Sequence, residues 1–224
     1  MDQRGVILVI LFAVFILYIR DQNTYKVKSF SVPALAEPIR FLLSYGNLVF
    51  EDQRIQLGEW ERLKPFTPYG KEPILEYKGK VAHHSLAICR YLGKKLKLVG
   101  ENDWDDLEID AAADTISDLR LEIDQYFYEP DSKIRAQKKE ILVKEILPLY
   151  IQRLENQIRE NKGFLAIGKL TWADLYYAGL YEYLHYMLGF DFTENAPKLR
   201  HLKQQVYALP AIKAWIEKRP KNNF

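Results

Sequence analysis

Residues 71–92 read KEPILEYKGKVAHHSLAICRYL, and this stretch decides the fold. Two short extended runs, residues 74–77 and 80–82, straddle the turn dipeptide Lys78-Gly79, which predicts a β-hairpin. Ser85 then stands where a helix to about residue 96 begins, because its hydroxyl suits the capping of free N–H groups. Upstream, three prolines and a glycine between residues 65 and 73 predict a structured loop that ends at Pro73. Further out, residues 49–55 read as a strand, residues 34–45 as a helix stopped by Gly46, and residues 25–32 as a strand. Pro33 sits where that helix can begin, and Pro38 lies in its first turns, where a missing N–H costs little. The order β-α-β-loop-β-β-α over residues 25–99 is that of a thioredoxin-like α/β domain.

Beyond Trp104 the strand signal vanishes. Residues 107–128, 131–161, 171–188 and 197–209 carry helical spacing, and residues 212–219 add a short helix after Pro210. Thr171-Trp172-Ala173-Asp174 fits a capping box in its Ser/Thr-x-x-Asp form, which starts a helix by satisfying its free N–H groups. An all-helical domain over residues 104–224 is therefore expected, joined to the first near residues 99–103.

The totals fit a folded protein: 224 residues, 48% hydrophobic and 28% charged. A formal charge of +2 argues against a dedicated nucleic-acid binder, which needs clustered Lys and Arg. The single cysteine, Cys89, excludes an intramolecular disulfide, and the chain has no Asn-x-Ser/Thr acceptor; both point to a reducing compartment.

Residues 5–19 (GVILVILFAVFILYI) are uncharged and lie between Arg4 and the pair Arg20-Asp21. No small-residue cleavage site follows the run, and a core helix would need a larger body to bury it. The run is short for a span of about 20 residues, but the thin ER bilayer accommodates such lengths. An uncleaved signal-anchor is the favoured reading, with residues 1–24 as anchor and linker. Arg20, Lys26 and Lys28 against Arg4 then place the globular part on the cytoplasmic side of the ER membrane. Cleavage would instead make the protein secreted.

Several stretches together resemble cytosolic glutathione transferases. They are Ala34-Leu-Ala-Glu-Pro-Ile-Arg-Phe-Leu-Leu43, Lys71-Glu72-Pro73-Ile74-Leu75-Glu76, His83-His84-Ser85-Leu86-Ala87-Ile88-Cys89-Arg90-Tyr91-Leu92, Asp114-Thr115-Ile116-Ser117-Asp118, Leu170-Thr171-Trp172-Ala173-Asp174 and the closing residues 209–220. The sigma-like class, with insect enzymes, haematopoietic-type prostaglandin D synthase and S-crystallins, is the nearest, and the likeness runs from residue 25 to the C-terminus. It implies glutathione as co-substrate or ligand, a small lipophilic second substrate, and a homodimer. Pro73 matches the family's cis-proline, and the backbone of Glu72 then pairs with the cysteine of glutathione. Ser85 at a helix start holds the γ-glutamyl carboxylate, Trp60 and Lys64 hold the glycine end, and Asp118 reaches the γ-glutamyl amine from the partner subunit. Each has a plainer reading: a turn proline, an N-cap, a packing aromatic or a solvated charge.

Three positions depart from the pattern. Ser29 stands at the family's catalytic tyrosine, whose hydroxyl stabilises the glutathione thiolate. A serine hydroxyl one bond beyond Cβ does not reach where a tyrosine hydroxyl does, and the later serine of the serine-type class is absent, since Pro33, Ala34 and Leu35 occupy that loop. His84 replaces a glutamine that binds the γ-glutamyl group; a neutral imidazole still donates one hydrogen bond. Glu72 brings a carboxylate towards a substrate that itself carries two. His83-His84 has no further ligand at metal spacing, so no metal is expected. A free thiol of pKa ~8.5 is only slightly ionised at neutral pH, and loss of one oxyanion-type donor costs on the order of 10²–10³ in rate. The expected activity is therefore glutathione conjugation or isomerisation of lipophilic electrophiles at reduced efficiency. The alternatives are a non-catalytic glutathione or hydrophobic-ligand binder and a structural member of the family. Tyr176, Tyr177, Tyr181 and Tyr183 read equally as packing or as pocket.

Overall fold

The computed structural model describes residues 23–221. Four strands, β1 (Tyr25–Phe30), β2 (Phe50–Ile55), β3 (Ile74–Tyr77) and β4 (Lys80–His83), form one sheet in the order β2-β1-β3-β4. β1 runs parallel to β2 and antiparallel to β3, with Val27 opposite both Asp52 and Leu75. A parallel pair needs a crossover, and α1 (Glu37–Tyr45) supplies it. The β3–β4 hairpin closes at Lys78-Gly79, both with positive φ (51° and 71°). That is the geometry a two-residue turn needs to match strand twist. Along β1, Tyr25, Val27 and Ser29 are buried while Lys26, Lys28 and Phe30 are partly exposed, the period-2 alternation of a strand with one face covered.

Short helix α2 (Leu57–Leu63) follows β2, and α3 (Ser85–Lys95) follows β4. The sequence reading had no helix at α2. Its start is set by a reciprocal Gln56–Glu59 capping box, but Gly58 weakens the helical signal. Helix α1 begins at Glu37 rather than beside Pro33, with Pro38 in its first turn.

The second half is helical: α4 (Asp103–Phe127), α5 (Ser132–Ile141), α6 (Leu147–Glu160), α7 (Trp172–Leu188), α8 (Pro197–Tyr207) and α9 (Pro210–Lys218). Asn102 caps α4 by accepting the Trp104 and Asp105 N–H groups at 2.9 and 3.1 Å. Three aspartates in its first turn complement the positive helix end. The single helix expected over residues 131–161 contains a π turn at Leu142–Ile146. Pro148 has no N–H to offer the Lys144 carbonyl, and the widened turn lies just ahead of it.

Helix α7 is buried on nearly all sides and forms the centre of the molecule. Its capping box is complete: the Asp174 carboxylate accepts Thr171 N–H (2.7 Å), Thr171 Oγ1 (3.0 Å) and Leu165 N–H (2.8 Å). Burial nevertheless pushes this carboxyl up to about 6. Gly179 lets α7 meet α1, since a Cβ there would lie 2.7 Å from Pro38 Cα. Gly93 on α3 likewise admits the ring of Trp172, and the backbone N–H of Trp172 donates to the Leu98 carbonyl at 3.1 Å.

A buried ionic chain joins sheet, α1 and the helical half. Arg40, fully buried, donates to Asp52 (2.7 Å), Glu37 (2.9 Å) and Ser29 Oγ (2.7 Å). The other oxygen of Glu37 accepts Trp215 Nε1–H (2.8 Å) and Arg219 (2.7 Å), and Arg219 forks onto Glu182.

The expected membrane anchoring, with the globular part on the cytoplasmic face of the ER, is withdrawn. Among the described residues no helix is long and apolar enough to cross a membrane, and the longest, α4, is rich in acids. Residues 5–19 lie outside the described residues.

Two substitutions test these supports. Arg40→Met, which takes one of two cationic partners from buried Glu37 and from part-buried Asp52, is expected to lower the unfolding free energy by about 1–3 kcal/mol. Asp174→Ala is expected to cost about 2–4 kcal/mol through the lost cap and the orphaned Leu165 N–H. Urea unfolding midpoints measure both.

Candidate functional site

The loop before β3, the β4–α3 corner and one face of α4 enclose a cavity of about 710 Å³. Glu72, Pro73, His84 and Ser85 line it together. The Glu72–Pro73 peptide bond is cis. His84 is a non-glycine residue at φ 65°, ψ 113°, a costly conformation on the order of 1–3 kcal/mol that tends to be kept where a site requires it. It turns the chain so that α3 starts at Ser85 with its free N–H groups at the cavity wall. A helix start of this kind favours a carboxylate or another anion. The rings of Tyr69, His83 and His84 follow one another around the rim, with centroids 5.1 and 4.8 Å apart.

Glu72 is partly exposed and lines the cavity. Burial raises its carboxyl above the usual carboxylate range, opposed by a hydrogen bond from the Phe30 backbone N–H and by the charge of Arg40.

Ser29 itself does not line the cavity. It is 1% exposed, and its hydroxyl accepts from Arg40 at 2.7 Å and donates to the Phe30 carbonyl at 3.1 Å. Trp60 is half-buried with its ring edge-on to Phe30 at 5.1 Å. Lys64 is exposed, its methylenes lying beside Gly70, where an added Cβ would be 3.3 Å away. Asp118 is exposed on α4, near enough to Tyr150 to raise the pKa of that phenol alongside burial. None of these three lines the cavity of the single chain.

The α4 wall was not assigned from sequence. Asp114, Ser117, Arg120 and Leu121 form it, at spacings that share one helix face. Arg120 pairs with Asp124, whose carboxyl is raised by burial against that charge. Asp114 is in turn near Arg90, which forms an ion pair with Asp110 at 2.8 Å. The i, i+3, i+6 spacing was legible, but which face meets the loop at Glu72 depends on how α4 packs. The tyrosines of α7 serve mainly in packing. Tyr177 donates to the Leu199 carbonyl (3.1 Å), Tyr181 to Asp191 (2.8 Å), and Tyr183 pairs with Tyr128 (2.8 Å). Tyr176 is fully buried, with its hydroxyl close to Ser85 and Ser117; burial pushes it up to about 12. Among the described residues no cluster of three or more His, Cys, Asp or Glu is placed to hold a metal.

Both halves match known families. "Glutathione S-transferase, N-terminal domain" matches residues 25–94, and "Glutathione S-transferase, C-terminal domain" matches residues 117–219. Glutathione S-transferase S1 of Drosophila melanogaster is 46% identical over 199 residues, covering 89% of this chain and 80% of that protein. Hematopoietic prostaglandin D synthase of Gallus gallus is 36% identical over 198 residues, covering 88% of this chain and 97% of that one. The solved structure of prostaglandin synthase D of Nilaparvata lugens superposes with a TM-score of 0.86 at 42% identity, covering 89% of this chain and 100% of that chain. The fold is that of a thioredoxin-like domain with a helical partner domain. The chain belongs to the glutathione S-transferase family, close to insect glutathione S-transferases and prostaglandin D synthase. Members of this family take glutathione as co-substrate.

Ser29→Ala removes an acceptor from the buried Arg40 guanidinium and is expected to lower unfolding free energy by about 1–3 kcal/mol. Urea unfolding of the purified variant measures it. An unchanged stability would mean that the serine hydroxyl is not holding Arg40.

Proposed function

We propose that the cavity binds glutathione, with residues 25–99 supplying the peptide site and residues 104–224 the wall for a small lipophilic electrophile. The observation that carries this reading is the convergence of the cis Glu72–Pro73 bond and the Ser85 helix start on one cavity. In this arrangement the Glu72 backbone pairs with the cysteine of glutathione, while Ser85 N–H and Oγ hold the γ-glutamyl carboxylate beside His84. Trp60 and Lys64 take the glycine end, and Asp118 acts on the γ-glutamyl amine from a second copy of the chain.

The reaction proposed is conjugation or isomerisation through the glutathione thiolate, at reduced efficiency. The reason is Ser29: its short side chain is buried and already bonded to Arg40, so it gives the sulfur no tyrosine-like donor. The same observation favours the second reading, a binding or structural member of the family without efficient chemistry.

Titration of glutathione into the purified protein by calorimetry tests the site. Ser85→Ala is expected to weaken glutathione binding about 10–100-fold, the equivalent of one or two charge-assisted hydrogen bonds. Ser29→Tyr is expected to raise conjugation of chlorodinitrobenzene by on the order of 10²-fold. Binding with no conjugation in either protein would favour the non-catalytic reading, and no binding at all would remove the glutathione assignment.

A further inference from the structure

We infer that glutathione binding is coupled to protonation of His84, whose imidazolium holds the γ-glutamyl carboxylate at the start of α3. The inference rests on the proposed glutathione site and deepens it, by naming a group that regulates that site. His84 lines the cavity one residue ahead of Ser85, in the N-cap position of α3. It is exposed, and its side chain makes no capping bond to the helix. Its ring lies against that of His83, with centroids 4.8 Å apart, and no carboxylate pairs with it among the described residues.

The charges around the cavity leave a ligand carboxylate short of cations. Of the three cations that line it, Arg120 pairs with Asp124, and Arg90 lies 2.8 Å from Asp110 and 3.9 Å from Asp114. Among the described residues only Lys71 of the three is without an ion pair. Two acids, Glu72 and Asp114, line the same cavity, and Tyr69 and His83 complete the titratable groups that face it. A peptide with two carboxylates and one ammonium therefore meets little uncommitted positive charge. The helix start at Ser85 offers about half an elementary charge. The two imidazoles are the groups that can add a whole one near neutral pH. One imidazolium disfavours another so close by, so the pair gains one proton rather than two. His84 takes it, because His84 adjoins the Ser85 N–H to which the carboxylate binds in the proposed arrangement.

A proton on His84 and a carboxylate beside it favour each other by the same free energy. Binding therefore takes up a proton wherever the imidazole of the free protein is only partly charged. Affinity is highest at acid pH, falls as pH rises through the range in which the imidazole titrates, and is level above it.

The test is calorimetric titration of S-methylglutathione, which has no thiol proton to lose, in buffers of different ionisation enthalpy. The parent should bind about 10-fold more tightly at about pH 5.5 than at about pH 7.5, the gain of one charge-assisted hydrogen bond. It should take up on the order of 0.5 proton per ligand near the ordinary imidazole midpoint. His84→Gln keeps a neutral donor, and should lose both the proton uptake and the pH dependence; His83→Gln should keep both. His84→Asn, a residue that tolerates positive φ, gives the same readout should the Gln variant not fold. Proton uptake that persists in a folded His84 variant overturns the inference and moves the proton to His83 or to Glu72, whose carboxyl is raised by burial. A parent that binds equally well across this range overturns it too. A parent that binds no S-methylglutathione at any pH overturns it by a separate route, by removing the ligand assignment itself.

Discussion

The buried guanidinium of Arg40 is held between part-buried Asp52 on the sheet, buried Glu37 on its own helix and the buried hydroxyl of Ser29 on β1. A buried charge is tolerated only where its partners and geometry are nearly complete, since each unpaired ion costs several kcal/mol. Satisfying Arg40 therefore fixes α1 against β1 and β2. Glu37 extends the constraint through Trp215 and Arg219 to α9 and through Glu182 to α7, so one ionic chain ties the α/β half to the helical half. The apolar contacts between α1 and α7, with Gly179 against Pro38, supply area; the ionic chain supplies register.

This constraint also explains the state of Ser29. A residue at the end of β1 with its side chain on the covered face meets Arg40, and a short hydroxyl finds its partner there. β3 pairs beside β1, and the cis Glu72–Pro73 bond leads directly into it. Two of the three departures from the family pattern thus differ in setting: Ser29 is buried against Arg40, whereas Glu72 lines the cavity.

Much of the architecture was readable from residues. The Lys78-Gly79 hairpin and the Thr171–Asp174 capping box are local devices, whose chemistry needs only a few adjacent positions; Ser85, read as a cap, is instead the first residue of α3, and His84 holds the N-cap position without a side-chain cap bond. Helix α2 was missed because its capping box uses Gln56 and is followed by Gly58, a weak local signal that packing of Trp60 on Phe30 helps to complete. The uninterrupted helix expected over residues 131–161 hid a π turn, since periodicity does not register one extra residue per turn.

What the sequence determined by itself was the order of elements, the family pattern and the identities of Glu72, Pro73, His84 and Ser85, because turn chemistry, capping and side-chain period act over short range. Only the tertiary structure decided which of those groups share a cavity, that Ser29 turns inward to Arg40, and that Asp114, Ser117 and Arg120 form the opposite wall. Those facts depend on the packing of α1 and α4 against distant strands and loops. No short-range rule specifies such packing; it is selected by the joint burial of apolar faces and the need to satisfy every buried charge.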